Sequence, residues 1–527
     1  MRAGYLRVVG GNGAGALFPV GREFLLGRVN PDAAALADDA DMSREHARVA
    51  EGASGELEIR DLDSRNGTFV NGDRIEAEQL APGDLIQVGS TTLEVVLRPR
   101  SALYDDELMR PWYDDAITRV TRLSLFDVHG HVGSNDPDGF KFSSSELTAT
   151  LAAAGARGVV MPMHEPNGYP PANDALLAES EASGGRLVVF CRVDPKRDGR
   201  EEAVRCVDAG ARGIKLHPRA EQFDLRHDGI DPVFALAHER RLPVLIHAGR
   251  GIATLARDAV SLAGKYPDAR IILAHAAISD LNWIWREAPE HPNLFFDTAW
   301  WHPSDLAALF ALIPPGQLLF GSDLPYFTPF MSAAMVIRHG LQVGLSEDQL
   351  RSVLGDQTGR LLAGEDPLDL GPPAGTDRLG QSIILERLTS VLVLAVGRML
   401  MGRTGYEPLA LARLACDLGD DEAPEAQVCR HVLALLLRQE HFARENPENG
   451  PPLAAGIRCI MLAACLSRTP DVGLPRIPDL GDHEMVLQAS SSGHRSRAET
   501  RLMPSISRAP DLRRSSAADL LIIDADD

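Results

Sequence analysis

At 527 residues the chain is too long for one hydrophobic core, and its length predicts roughly three or four domains. A net charge of −21 excludes sequence-independent binding to nucleic acid or to an anionic membrane, since both need basic surface. No apolar run approaches the ~18–20 residues that cross a bilayer, no N-terminal stretch resembles a signal peptide, and the six cysteines form no CxxC pair. These features predict a cytoplasmic protein with buried thiols in a reducing compartment. Only four of the 53 basic residues are lysines, so a lysine inside a predicted strand is not a generic positive charge.

Residues 1–100 carry short alternating runs, among them Leu6-Arg7-Val8-Val9, Glu23-Phe24-Leu25-Leu26 and Leu85-Ile86-Gln87-Val88. Asn71-Gly72 and Pro82-Gly83-Asp84 punctuate them as turns. Many short strands without helical periodicity predict a β-sandwich. Three loop motifs follow in order: Gly27-Arg28, Ser43-Arg44-Glu45-His46 and Asn66-Gly67-Thr68. Together they resemble the forkhead-associated (FHA) phosphothreonine-binding domain across nearly this whole stretch. The resemblance implies that Arg28 and Ser43 bind phosphate and that Asn66 holds the ligand backbone, with Arg44 and Arg65 as further contacts. A dianionic phosphate wants charge-assisted hydrogen bonds from arginine together with a hydroxyl donor. His46 is expected to brace its loop rather than touch ligand. The bland alternative is a sandwich that keeps its turn residues and binds nothing.

Residues 101–121 mix charge, proline and turn formers, which predicts a linker with one short helix. Trp112 is expected to anchor it against a neighbouring domain.

Over 122–368, apolar runs recur at 125–132, 158–163, 187–193, 213–217, 243–247, 271–275, 294–298 and 318–323. Helical patterns such as 201–209, 232–240, 253–265 and 305–313 lie between them. Strand then helix, repeated in this way, predicts a TIM-type (β/α)8 barrel, whose active site forms at the C-terminal strand ends. Those ends carry His129, His131, His247, His275 and Asp323. Alternation turns His129 and His131 to one face and sends both Lys215 and His217 into the barrel. Imidazoles plus a carboxylate suit zinc or a similar divalent ion. Buried without a shared partner, such residues would be costly.

The motifs Asp127-x-His129-x-His131, Gly213-Ile214-Lys215-Leu216-His217-Pro218, Ile246-His247-Ala248-Gly249, Ala274-His275 and Gly321-Ser322-Asp323-x-Pro325 resemble the metal-dependent amidohydrolase superfamily. The match is to its amidohydrolase 2 branch, which includes decarboxylases. The resemblance implies that His129, His131, His247 and Asp323 ligate the metal. Asp323 would double as general base, and His275 would polarise the reacting water or substrate. Lys215 and His217 are left for substrate or a second metal. One ion is expected; the alternative is a pair bridged by a carboxylated Lys215.

Residues 376–470 show helical periodicity at 383–401, 408–418, 425–440 and 453–466, predicting a small α-helical domain that offers a partner or homo-oligomer surface. Residues 471–527 turn polar and serine-rich and read as a disordered tail. Thr500, and Thr469 just before the tail, are candidate phosphorylated ligands for the FHA module.

The fold class expected is therefore multidomain: all-β sandwich, α/β barrel, helical domain and tail. The expected function is a metal-dependent hydrolase of a small molecule at a C–N or C–O bond. A phosphothreonine protein, or the chain's own tail after action by a Ser/Thr kinase, would localise or regulate it. The alternatives are a non-oxidative decarboxylase and a catalytically silent signalling scaffold.

Overall fold

The computed structural model describes residues 2–475, apart from 12–13, 15–16, 21–22, 31–35, 53–55, 100, 104–105, 198, 250–254, 381, 420–421 and 446–455. Most of the expected tail, including Thr500, lies outside the described residues.

The N-terminal sequence forms two antiparallel sheets. The larger runs in the order Leu17–Pro19, Arg2–Gly10, Thr91–Pro99, Leu85–Val88, Thr68–Val70 and Asp73–Ile75. The smaller runs Glu23–Leu26, Ala47–Glu51, Leu57–Asp61 and Ala77–Leu80. Alternating residues fill the space between them: Leu6, Val8, Phe18, Leu26, Val49, Ile59, Ile86 and Leu93 are all buried. Asn71 and Gly72 both take positive φ, +52° and +94°, closing the hairpin between Thr68–Val70 and Asp73–Ile75 as the sequence foretold.

The linker helix, Asp106–Thr118, follows. Trp112 anchors it as expected: the ring is 2% exposed, and its Nε1 donates to His431 Nδ1 at 3.2 Å on the helix Ala426–Glu445. Arg110 lies 5.1 Å from the Tyr5 ring of the sandwich and 4.7 Å from the Phe330 ring of the barrel. One buried guanidinium thus touches both domains that the linker joins.

The barrel strands pair in parallel and in chain order: Arg157–Pro162, Leu187–Arg192, Gly213–Leu216, Pro243–Ile246, Arg270–Leu273, Leu294–Asp297 and Leu318–Leu319. The expected first strand is split into Phe126–Asp127 and His131–Val132, both paired with strand two. Its other edge bonds the end of strand eight, while Gly130 O still accepts from Met161 N of strand two at 3.0 Å. Val128 N donates to Phe320 O at 2.9 Å, and His131 N to Leu324 O at 2.7 Å. Those bonds close the barrel. Phe126, Val128, Val159, Phe190, Leu245, Ile272 and Phe295 form one buried cluster at its core.

After the barrel come Ile383–Leu400, Tyr406–Ala415, Ala426–Glu445 and Ile457–Arg468. They are not a free-standing bundle. Every residue from Ile457 to Ser467 is buried, because this last helix lies between its own neighbours and the barrel helices Pro303–Leu312 and Pro329–Val343. Thr469, expected as a phosphorylation candidate, is not one. It is fully buried; its hydroxyl accepts from Arg338 Nε at 2.9 Å and donates to Cys465 O at 2.9 Å, so a kinase cannot reach it in the folded chain. Among the described residues no helix is long and apolar enough to cross a membrane.

Candidate metal centre and phosphate loops

The barrel places its chemistry where strands one and eight meet. One nitrogen each from His129 and His131 and one oxygen from Asp323 lie within 4.8 Å of one another, all on buried residues. His129 Nε2 is 3.4 Å and His131 Nε2 is 3.2 Å from Asp323 Oδ1. Gly321 makes room for this approach: a Cβ there would sit 3.2 Å from the Cβ of His129 and 3.3 Å from that of Asp297. His275 and Asp323 both hold left-handed backbone, φ +56° and +59°, a strain that side-chain-bearing residues adopt only where their surroundings enforce it.

Protons in the centre can be followed bond by bond. Asp297 Oδ2 accepts from His129 Nδ1 at 2.7 Å, which leaves Nε2 as the lone-pair nitrogen facing Asp323. Ala299 O must accept from His275 Nδ1 at 2.9 Å, so in neutral His275 the Nε2 is an acceptor. It accepts from His247 Nδ1 at 3.0 Å, and that bond leaves His247 Nε2 bare. This atom is buried and has no hydrogen-bond partner among the described residues. A bare buried nitrogen is expensive unless something binds it.

Burial, then the charge of Lys215, holds the His129 imidazole well below its ordinary value. Burial pushes His131 down to about 4 and, with His275 next to it, holds His247 well below its usual value. Neutral imidazole is the form that binds metal. Burial works to raise the Asp323 carboxyl, but His275, the bond to His131 and Lys215 together hold it below the ordinary carboxylate value. The donor set therefore fits a divalent ion: neutral nitrogens and an ionised carboxylate.

Not every expected ligand joins the cluster. His247 stands outside the three-residue group, stacked on His217 at 3.9 Å between ring centres. Lys215 is fully buried, with Nζ 3.2 Å from His129 Nε2, and burial lowers its amine to about 7. Asp297 is a functional residue that the strand-end pattern does not name. Besides holding His129 it accepts from the backbone N of His275 at 2.7 Å, and burial raises it to about 6. Its signal was a carboxylate closing an otherwise apolar strand, Leu294-Phe295-Phe296-Asp297. Ser322, given no role within its motif, donates its N to Asp127 Oδ1 at 2.9 Å across the seam.

The FHA-type loops are built by backbone bonds. Gly27 is needed because a Cβ would lie 2.2 Å from Arg44 O. Arg28 Nε donates to Met42 O at 2.7 Å, Asn66 Nδ2 to Asp41 O at 2.7 Å, and Ser43 Oγ accepts from Arg65 N at 3.0 Å. All three tie onto residues 41–43, while Arg28, Arg44, Arg65 and Asn66 remain exposed. His46 is buried, accepting from Ser43 N at 3.0 Å and donating to Gly67 O at 3.1 Å. It braces the loops, as expected.

Comparison with known proteins matches both regions. The FHA domain family model matches residues 20–89, and the amidohydrolase family model matches 126–363. An oxoglutarate dehydrogenase inhibitor from Corynebacterium diphtheriae is 35% identical over 99 residues, 19% of this chain and 68% of its own length. A glycogen accumulation regulator, GarA, from Mycolicibacterium smegmatis is 35% identical over 92 residues, 17% of this chain and 57% of its own length. The chain thus spans just over half of that second relative. A crystal structure of 5-carboxyvanillate decarboxylase LigW from Sphingomonas paucimobilis aligns at 16% identity and a TM-score of 0.38, covering 46% of this chain and 99% of that one. The chain belongs to the FHA-domain proteins, and its FHA domain is joined to an amidohydrolase domain.

Proposed function

We propose that the barrel is a metal-dependent hydrolase acting at a C–N or C–O bond of a small molecule. In this reading the FHA domain localises or regulates it by binding phosphothreonine, on a partner protein or on the chain's own tail, downstream of a Ser/Thr kinase. The observation that carries the barrel reading is the convergence of His129, His131 and Asp323, whose ligand atoms lie within 4.8 Å of one another on buried residues. Held by these four residues, a divalent ion such as zinc would supply Lewis-acid chemistry when bound.

The chain's own groups supply the rest. Asp323, kept ionised, accepts a proton from the attacking water. His275, fixed by Ala299 O, orients the reacting carbonyl or leaving group. Lys215, a buried amine near neutrality, contacts substrate in a one-ion centre, and His217 lines the same wall. On the FHA domain, Arg28 and Ser43 take the phosphate, Asn66 the ligand backbone, and Arg44 and Arg65 the surrounding charge.

The test is elemental analysis of chelator-free protein beside a His129→Ala/His131→Ala control, followed by a substrate screen. One zinc per chain, lost in the control, with release of an amine or alcohol product supports the reading. Carbon dioxide release would make the enzyme a decarboxylase. Failure to bind metal after reconstitution would leave a phosphothreonine-reading scaffold.

A further inference from the structure

Asp323 sits on an irregular turn, and that turn needs holding. Tyr326 N and Phe327 N both fold back onto Asp323 O, at 2.9 and 3.4 Å. Carbonyls in such a turn have no ladder to satisfy them. The two that follow the Leu324 position are met from outside the barrel. Arg458, on the last helix, donates through Nη2 to Pro325 O at 2.8 Å and to Tyr326 O at 3.2 Å.

Arg458 is costly where it stands. It is 3% exposed and is the second residue of its helix, where the positive end of the helix dipole disfavours a cation. From that position it reaches both turn carbonyls through one nitrogen. The helix that begins at Pro329, just beyond the turn, is held from the same side at its other end. Arg338 reaches Thr469 O at 2.7 Å and Val472 O at 3.1 Å, and Gln342 reaches Asp471 Oδ2 at 2.7 Å. Residues 458–472 therefore bond both the turn that follows Asp323 and the C-terminal half of the helix Pro329–Val343.

We propose that Arg458 is a positioning residue for the metal centre, so that the C-terminal helical region is a working part of the barrel's site rather than a separate module. The proposal rests on the metal reading only for its consequence, not for its geometry. It is tested in the full chain with Arg458→Met, which keeps the length of the stem and removes the donors, and with Arg458→Lys as the conservative variant. Hydrogen exchange of the amides at Leu324, Tyr326, Phe327 and Thr328 is read in metal-free protein, with strand two as internal reference. Zinc affinity is read separately.

Arg458→Met is expected to speed exchange at those four amides while strand two is unchanged, and to weaken zinc binding by roughly 10–100-fold, as loss of a group that supports a ligand does. Arg458→Lys is expected to recover most of both. Unchanged exchange at the four amides in folded Arg458→Met overturns the proposal. If that variant does not fold, Arg458→Gln, too short to reach both carbonyls, is read in the same way. If the wild-type chain binds no zinc, the metal reading fails while the exchange data still decide the positioning role.

Discussion

The two sites of this chain are built by opposite means. At the phosphate loops, backbone groups hold side chains that stay in water: Arg28 leans on Met42 O, and Asn66 on Asp41 O. In the barrel, side chains hold other side chains out of water: Asp297 holds His129, and His275 holds His247. The difference matches the two proposed roles. A peptide docking from solvent needs exposed donors on a fixed frame. Ligands for an ion need their protons assigned in advance, which only buried partners can do.

That contrast can be broken by single substitutions. The largest effect is expected for His129→Ala, which removes one corner of the three-atom cluster: zinc content should fall to background by elemental analysis, with phosphopeptide binding unaltered. Arg28→Ala should do the reverse. Loss of hydrogen bonds to a charged group costs about 1.5–3 kcal/mol, so the Kd for a phosphothreonine peptide should rise roughly tenfold to 150-fold, read by fluorescence anisotropy. If either substitution damages both sites, the two are not independently built.

Asp297→Asn sharpens the comparison, because it keeps shape and removes only the acceptor charge. Zinc affinity is expected to drop roughly 10–100-fold, read by competition with a chelating dye. A comparable change among the phosphate loops is not expected to act through protonation of a ligand, since their frame is backbone.

The smallest effect is in acid. Burial acts to raise Asp61, but bonds from Ser64 and Thr68 hold it below the ordinary carboxylate value of 3.8. A carboxyl lowered in the folded state contributes stability that is present above its unfolded value and lost as pH falls through the folded one. Asp61→Asn should therefore lower the stability of the sandwich at neutral pH and flatten its loss below about pH 4, measured by urea unfolding of the full chain across pH.

Much of this was legible in the residues. Asn71-Gly72 announced its hairpin, and the strand ends announced that His129, His131 and Asp323 come together, because alternation and strand ends are local properties. The closing seam was not legible in detail, since Val128 bonds Phe320, a residue that no local pattern names. Asp297 was hidden for a related reason: its strand reads as apolar core, and its worth comes from a histidine contributed by another strand. His247 shows the limit most clearly. Its place on strand five could be read, but which nitrogen is bare depends on Ala299, two links away through His275.

The closing seam has a consequence for how the protein comes into being. Asp127 and Ser322 meet across it although 195 positions separate them. During synthesis the two histidines of the first strand leave the ribosome long before their aspartate exists. On the proposed metal reading, loading of an ion would therefore wait for the last strand to dock, and a bound ion would tie the two ends of the cylinder together.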